Sequence, residues 1–264
     1  MPNPDKKEWT SYFFRGLPLN EELSAMMAEI ISEFYDSQCR QFNYSACKNS
    51  KAYNQLQLLA QSLNTFDPMT MQTEQERKAF WLNLYNALII HLVIIEKVDK
   101  SILQVKEFFT SFRYQLKGID VTLDEIEHGI LRANSPNYMQ VRRPFRKDSP
   151  GYTLMLELDP RIHMALFCAS MSCADLKAYF PDTIDQELDT TVIKSLEKLV
   201  RIEGRKIFLP KCFMWYSNDF GGKEGSLDFV SRYHPDSTLS QFIKNNKNHL
   251  KIIWLTFDWS LNKG

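Results

Sequence analysis

The sequence predicts a single, mostly helical α+β domain built around one long buried central helix with a small, mainly antiparallel sheet. Residues 73–97 are apolar on nearly all sides after Phe80, so other elements must cover this helix. Apolar residues make up 44% of the 264 residues, enough to fill an ordinary core. Short alternating segments at 112–121 and 251–257 predict the strands of the sheet.

Two helices are expected before the central one. From Asn20, which follows Pro18 and is the expected N-cap, apolar residues recur at three- and four-residue spacing. A second helix is expected over 52–63. We therefore expect residues 1–72 to form an N-terminal helical segment that packs on a core domain of residues 73–264, the two making one structural unit.

Three further elements are expected after the central helix. A hairpin should turn at Lys117-Gly118, and Thr122 with Glu125 has the pattern of a capping box that starts a helix. Residues 133–152 are rich in proline and predict a long loop that is a lid, a disordered segment or a protein-binding loop. Apolar residues at every fourth position over 184–200 predict another helix.

The overall charge argues against nucleic acid or anionic membrane as a partner. Thirty-two basic residues balance 32 acidic ones, so no global field attracts polyanions. The densest basic cluster is interrupted by Pro144 and indicates a solvated loop; it comprises Arg142, Arg143, Arg146 and Lys147.

The expected location is intracellular and cytoplasmic. The N-terminal residues lack the apolar stretch of a secretory signal, and the apolar run 80–95 falls short of the roughly 20 residues of a membrane span. Five cysteines, an odd number, do not suit a disulfide framework and agree with a reducing compartment.

Candidate chemistry is concentrated in residues 159–173, which hold two thiols and an imidazole. His163 and Cys168 are five residues apart, which separates them on a strand and on a helix, so a direct dyad is not expected. Ser172 is expected to cap a helix, which would place Cys173 at its positive end and lower the pKa of that thiol. Cys173 is therefore the expected nucleophile.

The remaining catalytic candidates are His163 or His128 as the base, with Glu127 to orient the imidazole. Structural readings stay open beside these roles. Both thiols could be buried core residues or a redox pair, and His128 could belong to a surface charge ladder on its helix. The C-x4-C spacing of Cys168 and Cys173 and the isolation of Cys212 argue against a zinc site.

Several motifs carry a resemblance to a known family. They are AFWLNLYNA at 79–87, LDEIEHGILR at 123–132, DPRIH at 159–163 followed by Ser172-Cys173, Trp215-Tyr216 with Asp219-Phe220, and DWSLN at 258–262. In this order they resemble the family known as domain of unknown function 547, whose members have been likened to papain-type thiol hydrolases. The sequence departs from the family's Cys-Gly-Ala-x-Ser-Cys-Pro pattern at Ala169, Ser170 and Ala174.

The residues and the resemblance together predict a cysteine-dependent hydrolase or acyl transferase. It would act on an amide, ester or thioester of a peptide, protein or acyl substrate, without a metal or cofactor. The candidate substrate-binding residues are Asn83, Asn86, Arg132, Arg161, Trp215 and Tyr216. The alternative is a catalytically inactive protein-interaction module, in which His128, Arg132, Arg161 and His163 form a buried polar lattice.

Overall fold

The computed structural model describes residues 17–138 and 142–264. The N-terminal residues on which the expectation of no secretory signal rests lie outside this range, as do residues 139–141 of the predicted loop. The first half contains α1 (Leu19–Phe34), β1 (Tyr35–Asp36), β2 (Gln41–Phe42), α2 (Tyr44–Lys48), α3 (Lys51–Ser62), α4 (Glu74–Ile95), β3 (Tyr114–Leu116) and β4 (Ile119–Val121).

The second half begins with a π-helix, Glu125–Leu131, and a 3-10 helix, Pro160–Met164. It continues with α5 (Ile184–Leu199), β5 (Arg201–Glu203), β6 (Lys206–Leu209), α6 (Cys212–Trp215), α7 (Gly222–Tyr233), α8 (Ser237–Asn246) and β7 (Lys251–Trp254). This order of helices and short strands confirms the predicted α+β class.

Helix α4 is the central helix that the sequence predicts. A capping box starts it, because the Thr73 side chain accepts from the Glu76 backbone N–H while Glu76 accepts from the Thr73 backbone N–H. All but one of the side chains from Ala79 to Ile94 are buried. Helix α1, the π-helix and α5 all contact it.

Among the described residues, α4 alone is long and apolar enough to cross a membrane. Most of its apolar segment is buried by the surrounding elements, as in the core helix of a soluble protein. The side chains that satisfy the composition of a membrane span therefore fill the core of this fold.

Within the described residues, the strands form three small sheets in place of the one sheet expected. Strands β1–β2, β3–β4 and β5–β6 are antiparallel hairpins, and β7 pairs parallel with β6. The β3–β4 hairpin turns at Gly118, whose φ of 78° is in the left-handed region that glycine tolerates. Each strand of these hairpins is only two to four residues long.

Two expected helix starts are wrong, and the structure supplies the physical reason for the second. Pro18 is the N-cap of α1, and Asn20 lies inside the first turn. No helix starts at Ser172, because its backbone N–H donates to Asp258 O (3.2 Å) and its hydroxyl accepts from Asp258 N–H (2.8 Å). The C-terminal segment has taken the hydrogen bonds that a helix cap would use.

Two hydrophobic clusters make up the core of the described residues. The larger surrounds α4, and the smaller lies among α5, β6, α7 and α8. The two clusters meet at the 3-10 helix, since Met164 packs in the smaller cluster while Ile162 and Leu166 pack in the larger. The thiol loop, residues 168–173, follows directly.

Candidate thiol site

A cavity of about 410 Å³ lies beside the thiol loop. The π-helix, the 3-10 helix, α6 and the segment after β7 line it. Seven of the residues predicted for the site meet in its wall, namely Glu127, His128, His163, Cys168, Cys173, Trp215 and Tyr216. Residues far apart in the sequence thus share one concave surface of the size that small ligands occupy.

Asn83 and Asn86, predicted to bind substrate, do not line this cavity. The Asn83 amide donates to Tyr179 O (2.7 Å) and accepts from Tyr179 N–H (3.0 Å). The Asn86 amide accepts from Phe167 N–H (2.9 Å) and donates to Ala165 O (3.2 Å). Both amides satisfy buried backbone groups, so they position the chain on either side of the thiol loop.

Arg161 also lies outside the cavity. Its guanidinium pairs with Asp159 (2.7 Å), Asp185 (2.6 Å) and Asp189 (2.8 Å). Lys78 completes this network through Asp159 at 3.0 Å. These ion pairs tie the 3-10 helix to α5 and α4, which is a structural role and not the substrate contact predicted for Arg161.

His163 is held in one orientation with one ring nitrogen unused. Its Nε2–H donates to Asp219 Oδ2 (2.8 Å), and its ring stacks on Tyr216 with centroids 4.1 Å apart. Burial lowers its pKa, although Asp219 opposes this shift. The neutral ring therefore carries its lone pair on Nδ1, which is buried without a hydrogen-bond partner among the described residues.

His128 has both ring nitrogens occupied. Nδ1 accepts from Arg132 Nη1 (2.9 Å), since a guanidinium can only donate, and Nε2 faces Asp124 Oδ1 at 3.5 Å. His128 and Arg132 are each only 3% exposed, so the surface-ladder interpretation is wrong. Arg132 in turn binds both carboxylate oxygens of Asp219, at 2.6 and 3.0 Å.

Glu127 is held between two tyrosines. Tyr216 donates to Oε1 (2.7 Å) and Tyr85 donates to Oε2 (2.9 Å). Burial alone would raise the pKa of Glu127, but His128 and the two tyrosyl hydrogen bonds outweigh it and hold the pKa below its usual value. Glu127 does not contact His163, and Asp219 orients that imidazole in its place.

The two thiols are neighbours, and their pKa values are shifted in opposite directions. Cys168 N–H donates to Cys173 Sγ, and Cys168 Sγ lies 3.1 Å from the Ser170 hydroxyl. Burial opposes ionisation of Cys168, but hydrogen bonds from Cys173 and Ser170 lower its pKa. Burial, with the neighbouring Cys168, raises the pKa of Cys173 well above its usual range. The hydrogen bonds to the Cys168 sulfur and the burial of Cys173 favour Cys168 as the thiolate, and they outweigh the Cys168 N–H bond to Cys173 Sγ.

No hydrogen bond joins an imidazole to either thiol within residues 17–138 and 142–264, which agrees with the five-residue spacing of His163 and Cys168. His91, on α4, instead bonds the Tyr53 hydroxyl through Nδ1 (3.0 Å). The same residues contain no group of three His, Cys, Asp or Glu side chains that could hold a metal.

Comparison with known proteins connects this geometry to a family. Residues 68–194 match the family model described as "Protein of unknown function, DUF547". This stretch is a DUF547 region. The resemblance expected from the motifs is confirmed over these residues, and no curated protein and no solved structure matches the chain. The DUF547 region contains α4, the π-helix, His163 and both thiols, while Tyr216 and Asp219 lie beyond it.

The DUF547 region keeps an unusual backbone conformation at its thiol loop. Ala169, which stands where the family pattern has glycine, adopts a φ of 59°. That left-handed conformation costs a non-glycine residue about 1–2 kcal/mol. The C-terminal segment supports it, because Asn262 N–H donates to Ala169 O (3.0 Å) and Met171 N–H donates to Ser260 O (2.9 Å).

Three residues of the site were not among the predicted site residues. Asp219 orients His163, Tyr85 binds Glu127, and Ser170 bonds the Cys168 thiol. Asp219 and Tyr85 do lie in the family-like motifs, which is the signal that could have marked them. Asp219 is 56 residues from His163 and 87 from Arg132, so no local pattern pairs them.

Proposed function

We propose that this protein is a cysteine-dependent hydrolase or acyl transferase in which Cys168 is the nucleophile and His163 the base. The observation that carries the proposal is the state of His163. Its Nε2–H is fixed by Asp219, its Nδ1 lone pair has no partner in the described part of the chain, and its ring lines the cavity that holds Cys168. An acid, an oriented imidazole and a thiol are the parts that nucleophilic catalysis requires.

In the proposed reaction, the Cys168 thiol gives its proton to His163 Nδ1 directly or through one water. The thiolate then attacks the carbonyl carbon of an amide, ester or thioester. The bond to the leaving group breaks, the leaving group takes the proton from His163, and an acyl thioester remains on Cys168. Water completes hydrolysis, and another nucleophile would complete acyl transfer.

The polar chain behind His163 supports proton transfer. When Nδ1 takes a proton, the ring becomes positively charged in a buried place, and Asp219 at Nε2 stabilises that charge. Burial would raise the pKa of Asp219, but His163 and the Arg132 guanidinium lower it, so the carboxylate stays ionised. Arg132 thus acts through Asp219 as a positioning residue.

The cavity wall suits a substrate with an apolar group near the carbonyl. Tyr138 stacks on Trp215 with centroids 5.5 Å apart, and both side chains line the cavity. Flat aromatic walls bind acyl chains and aromatic side chains through their large apolar faces. The proposed substrate is therefore a peptide, protein or smaller acyl compound.

The proposed location is the cytoplasm. All five cysteines are free thiols, including an exposed one at Cys39. Free thiols persist where glutathione and thioredoxin keep cysteines reduced.

Alkylation with iodoacetamide between pH 5 and 10, mapped by mass spectrometry, tests the nucleophile. We expect Cys168 to react with a half-maximal rate at a pH below the value near 8.5 of free cysteine, and faster than Cys173 at every pH. Exposed Cys39 is the internal reference, and Cys212, whose pKa burial raises to about 12, should stay unreactive at neutral pH.

The base is tested in His163→Gln, where the Cys168 profile should move to higher pH while that of Cys39 stays in place. A panel of neutral acyl thioesters would then be hydrolysed by the natural chain and not by Cys168→Ala. Equal, slow alkylation of Cys168 and Cys173 with ordinary pH profiles would contradict the assignment.

The second candidate function is a non-catalytic interaction module. The chain of hydrogen bonds through His128, Arg132, Asp219 and His163 favours it, because such a buried network can serve to specify the fold alone. Arg161 does not belong to this chain. For such a module, the loop 133–152 is the candidate contact for a protein partner. A folded Cys168→Ser variant should then keep the cellular effect of the natural chain. Loss of the effect in Cys168→Ser would favour the enzyme.

A further inference from the structure

The charged groups that line the cavity do not balance one another. Its three carboxylates are engaged within the protein: Asp124 accepts from Asn137 (3.1 Å), Glu127 binds two tyrosines, and Asp175 pairs with Arg40. Its three lysines, Lys194, Lys198 and Lys211, have no carboxylate within 4.0 Å among the described residues. These three lysines therefore carry positive charge that no nearby carboxylate in the described part of the chain neutralises.

The position of these lysines concentrates the charge. Lys194 and Lys198 are four residues apart on α5, so they project from the same face of the helix. Lys211 lies directly before α6 and lines the same cavity. Like charges at this spacing repel each other and weaken a helix. Lys198 lies in the last turn of α5, where the helix dipole stabilises a positive charge. Lys194 lies one turn earlier and receives little of this stabilisation.

An apolar wall adjoins the lysines. Trp215, three residues after Cys212, packs against Phe257 (5.1 Å between centroids) and Trp259 (5.9 Å). All three aromatic side chains line the cavity and are partly exposed. A ligand that reaches from the thiol along this wall would meet aromatic surface and the lysine ammonium groups together.

We propose that the site takes an acyl substrate that carries an anionic group, a carboxylate or a phosphate. Lys194, Lys198 and Lys211 bind the anion, and Trp215, Phe257 and Trp259 cover its apolar part. That the ligand is a substrate rests on the proposed function. Binding of an anion at the three lysines does not require turnover and can be measured separately. The lysines would be specificity-determining residues and not catalytic ones.

Equilibrium binding, followed by tryptophan fluorescence and calorimetry at low salt, tests the subsite. The probes are N-hexanoylglycine, its neutral counterpart N-hexanoylglycinamide, and hexyl phosphate. We expect the carboxylate to bind about tenfold more tightly than the neutral amide, and the preference to shrink as salt screens the lysines. Tighter binding of hexyl phosphate than of N-hexanoylglycine would identify the anion as a phosphate, and the reverse as a carboxylate.

The variant that tests the assignment is Lys194→Ala/Lys198→Ala/Lys211→Ala, which should bind the acid and the amide equally. The matched control removes the same number of lysines elsewhere, in Lys48→Ala/Lys223→Ala/Lys244→Ala, and should keep the natural preference. Equal affinity for acid and amide in the natural chain, or an unchanged preference in the first variant, would overturn the proposal. Because Cys168→Ala should bind the probes as well as the natural chain does, failure of catalysis leaves this result interpretable.

Discussion

At the scale of single residues, Asp219 connects two of the polar side chains of the site. One carboxylate receives both Arg132 and His163, and it thereby sets which nitrogen of His163 carries the proton. The neighbouring His128 has the same side-chain chemistry but accepts from Arg132, so its lone pair is already used. Two histidines that look equivalent in the sequence therefore have different capacities as a base.

The left-handed backbone at Ala169 gives a prediction at this scale. Ala169→Gly relieves about 1–2 kcal/mol of backbone strain and loses about 0.8 kcal/mol from burial of one methyl group. We expect its free energy of unfolding to be unchanged or to rise by up to about 1 kcal/mol. The measurement is urea unfolding followed by circular dichroism.

Ala79→Gly is the matched control for this substitution. Ala79 is as buried as Ala169 but lies within helix α4. There the same change loses helix propensity and the methyl group, about 2 kcal/mol in total. If Ala169→Gly lost as much stability as Ala79→Gly, the strain at residue 169 would be refuted.

At the scale of elements, one aromatic ring packs between the π-helix and the loop that follows it. Phe145 lies between Gly129 of the π-helix and Gly151, and a Cβ on either glycine would overlap the ring. The Phe145 backbone also bonds the Asn134 amide at 2.8 and 2.9 Å. The π-helix carries Glu127 and His128, so this ring holds one wall of the cavity in place.

Gly129→Ala tests this packing. Alanine usually stabilises a helix by about 1 kcal/mol relative to glycine, whereas overlap with a packed ring costs about 1–3 kcal/mol. We expect a net loss of unfolding free energy and faster proteolysis of the loop 142–152. In a Phe145→Leu background the same substitution should cost clearly less, because the ring edge is gone. A stabilised Gly129→Ala protein would show that the ring does not pack as described.

At the scale of the whole molecule, the site lies where the two hydrophobic clusters and the C-terminal segment meet. The segment 258–262 bonds the thiol loop, and Asn262 also accepts from the Tyr44 hydroxyl (2.7 Å) and donates to Arg40 O (3.2 Å). The N-terminal hairpin, the thiol loop and the C-terminus therefore support one another. The two clusters and these segments together bury neutral His163 and ionised Glu127 and Asp219 inside the protein.

Burial of these groups predicts how stability depends on pH. Burial lowers the pKa of His163 below its ordinary 6.5, so below that pH the unfolded chain binds a proton that the folded chain resists. Unfolding free energy should fall as pH drops from 7 to 5, at up to about 1.4 kcal/mol per pH unit from this group. Glu127 and Asp219, whose pKa values are also lowered, add a further loss below about pH 4.5.

The check is urea unfolding at pH 7.5, 6.5, 5.5 and 4.5. His163→Gln should reduce the step between pH 7 and 5 and leave the part that comes from His91, whose pKa burial also lowers. His249→Gln, at an exposed position, should leave the step unchanged. A natural chain whose stability is flat over this range would contradict the neutral, buried state of His163.

The sequence by itself determined the elements whose causes are local. The apolar residues of α4, the capping boxes at Thr73 and Thr122 and the turn at Gly118 all depend on neighbours within a few positions. The motifs likewise located the thiols and His163. The pairing of Ser172 with Asp258 joins residues far apart in the sequence, so local patterns could not predict it. They predicted a helix start at Ser172 instead.

Only the tertiary structure decided the chemical state of these groups. The Cys168 pKa is lowered because Ser170 and Cys173 surround the thiol. Asp219, 56 residues away, holds Nε2 of His163, so the lone pair lies on Nδ1, which no described residue uses. Asn83, Asn86 and Arg161 satisfy backbone or ion pairs outside the cavity. Burial and hydrogen bonding between distant residues set acidity and tautomer, and neither is encoded in local spacing.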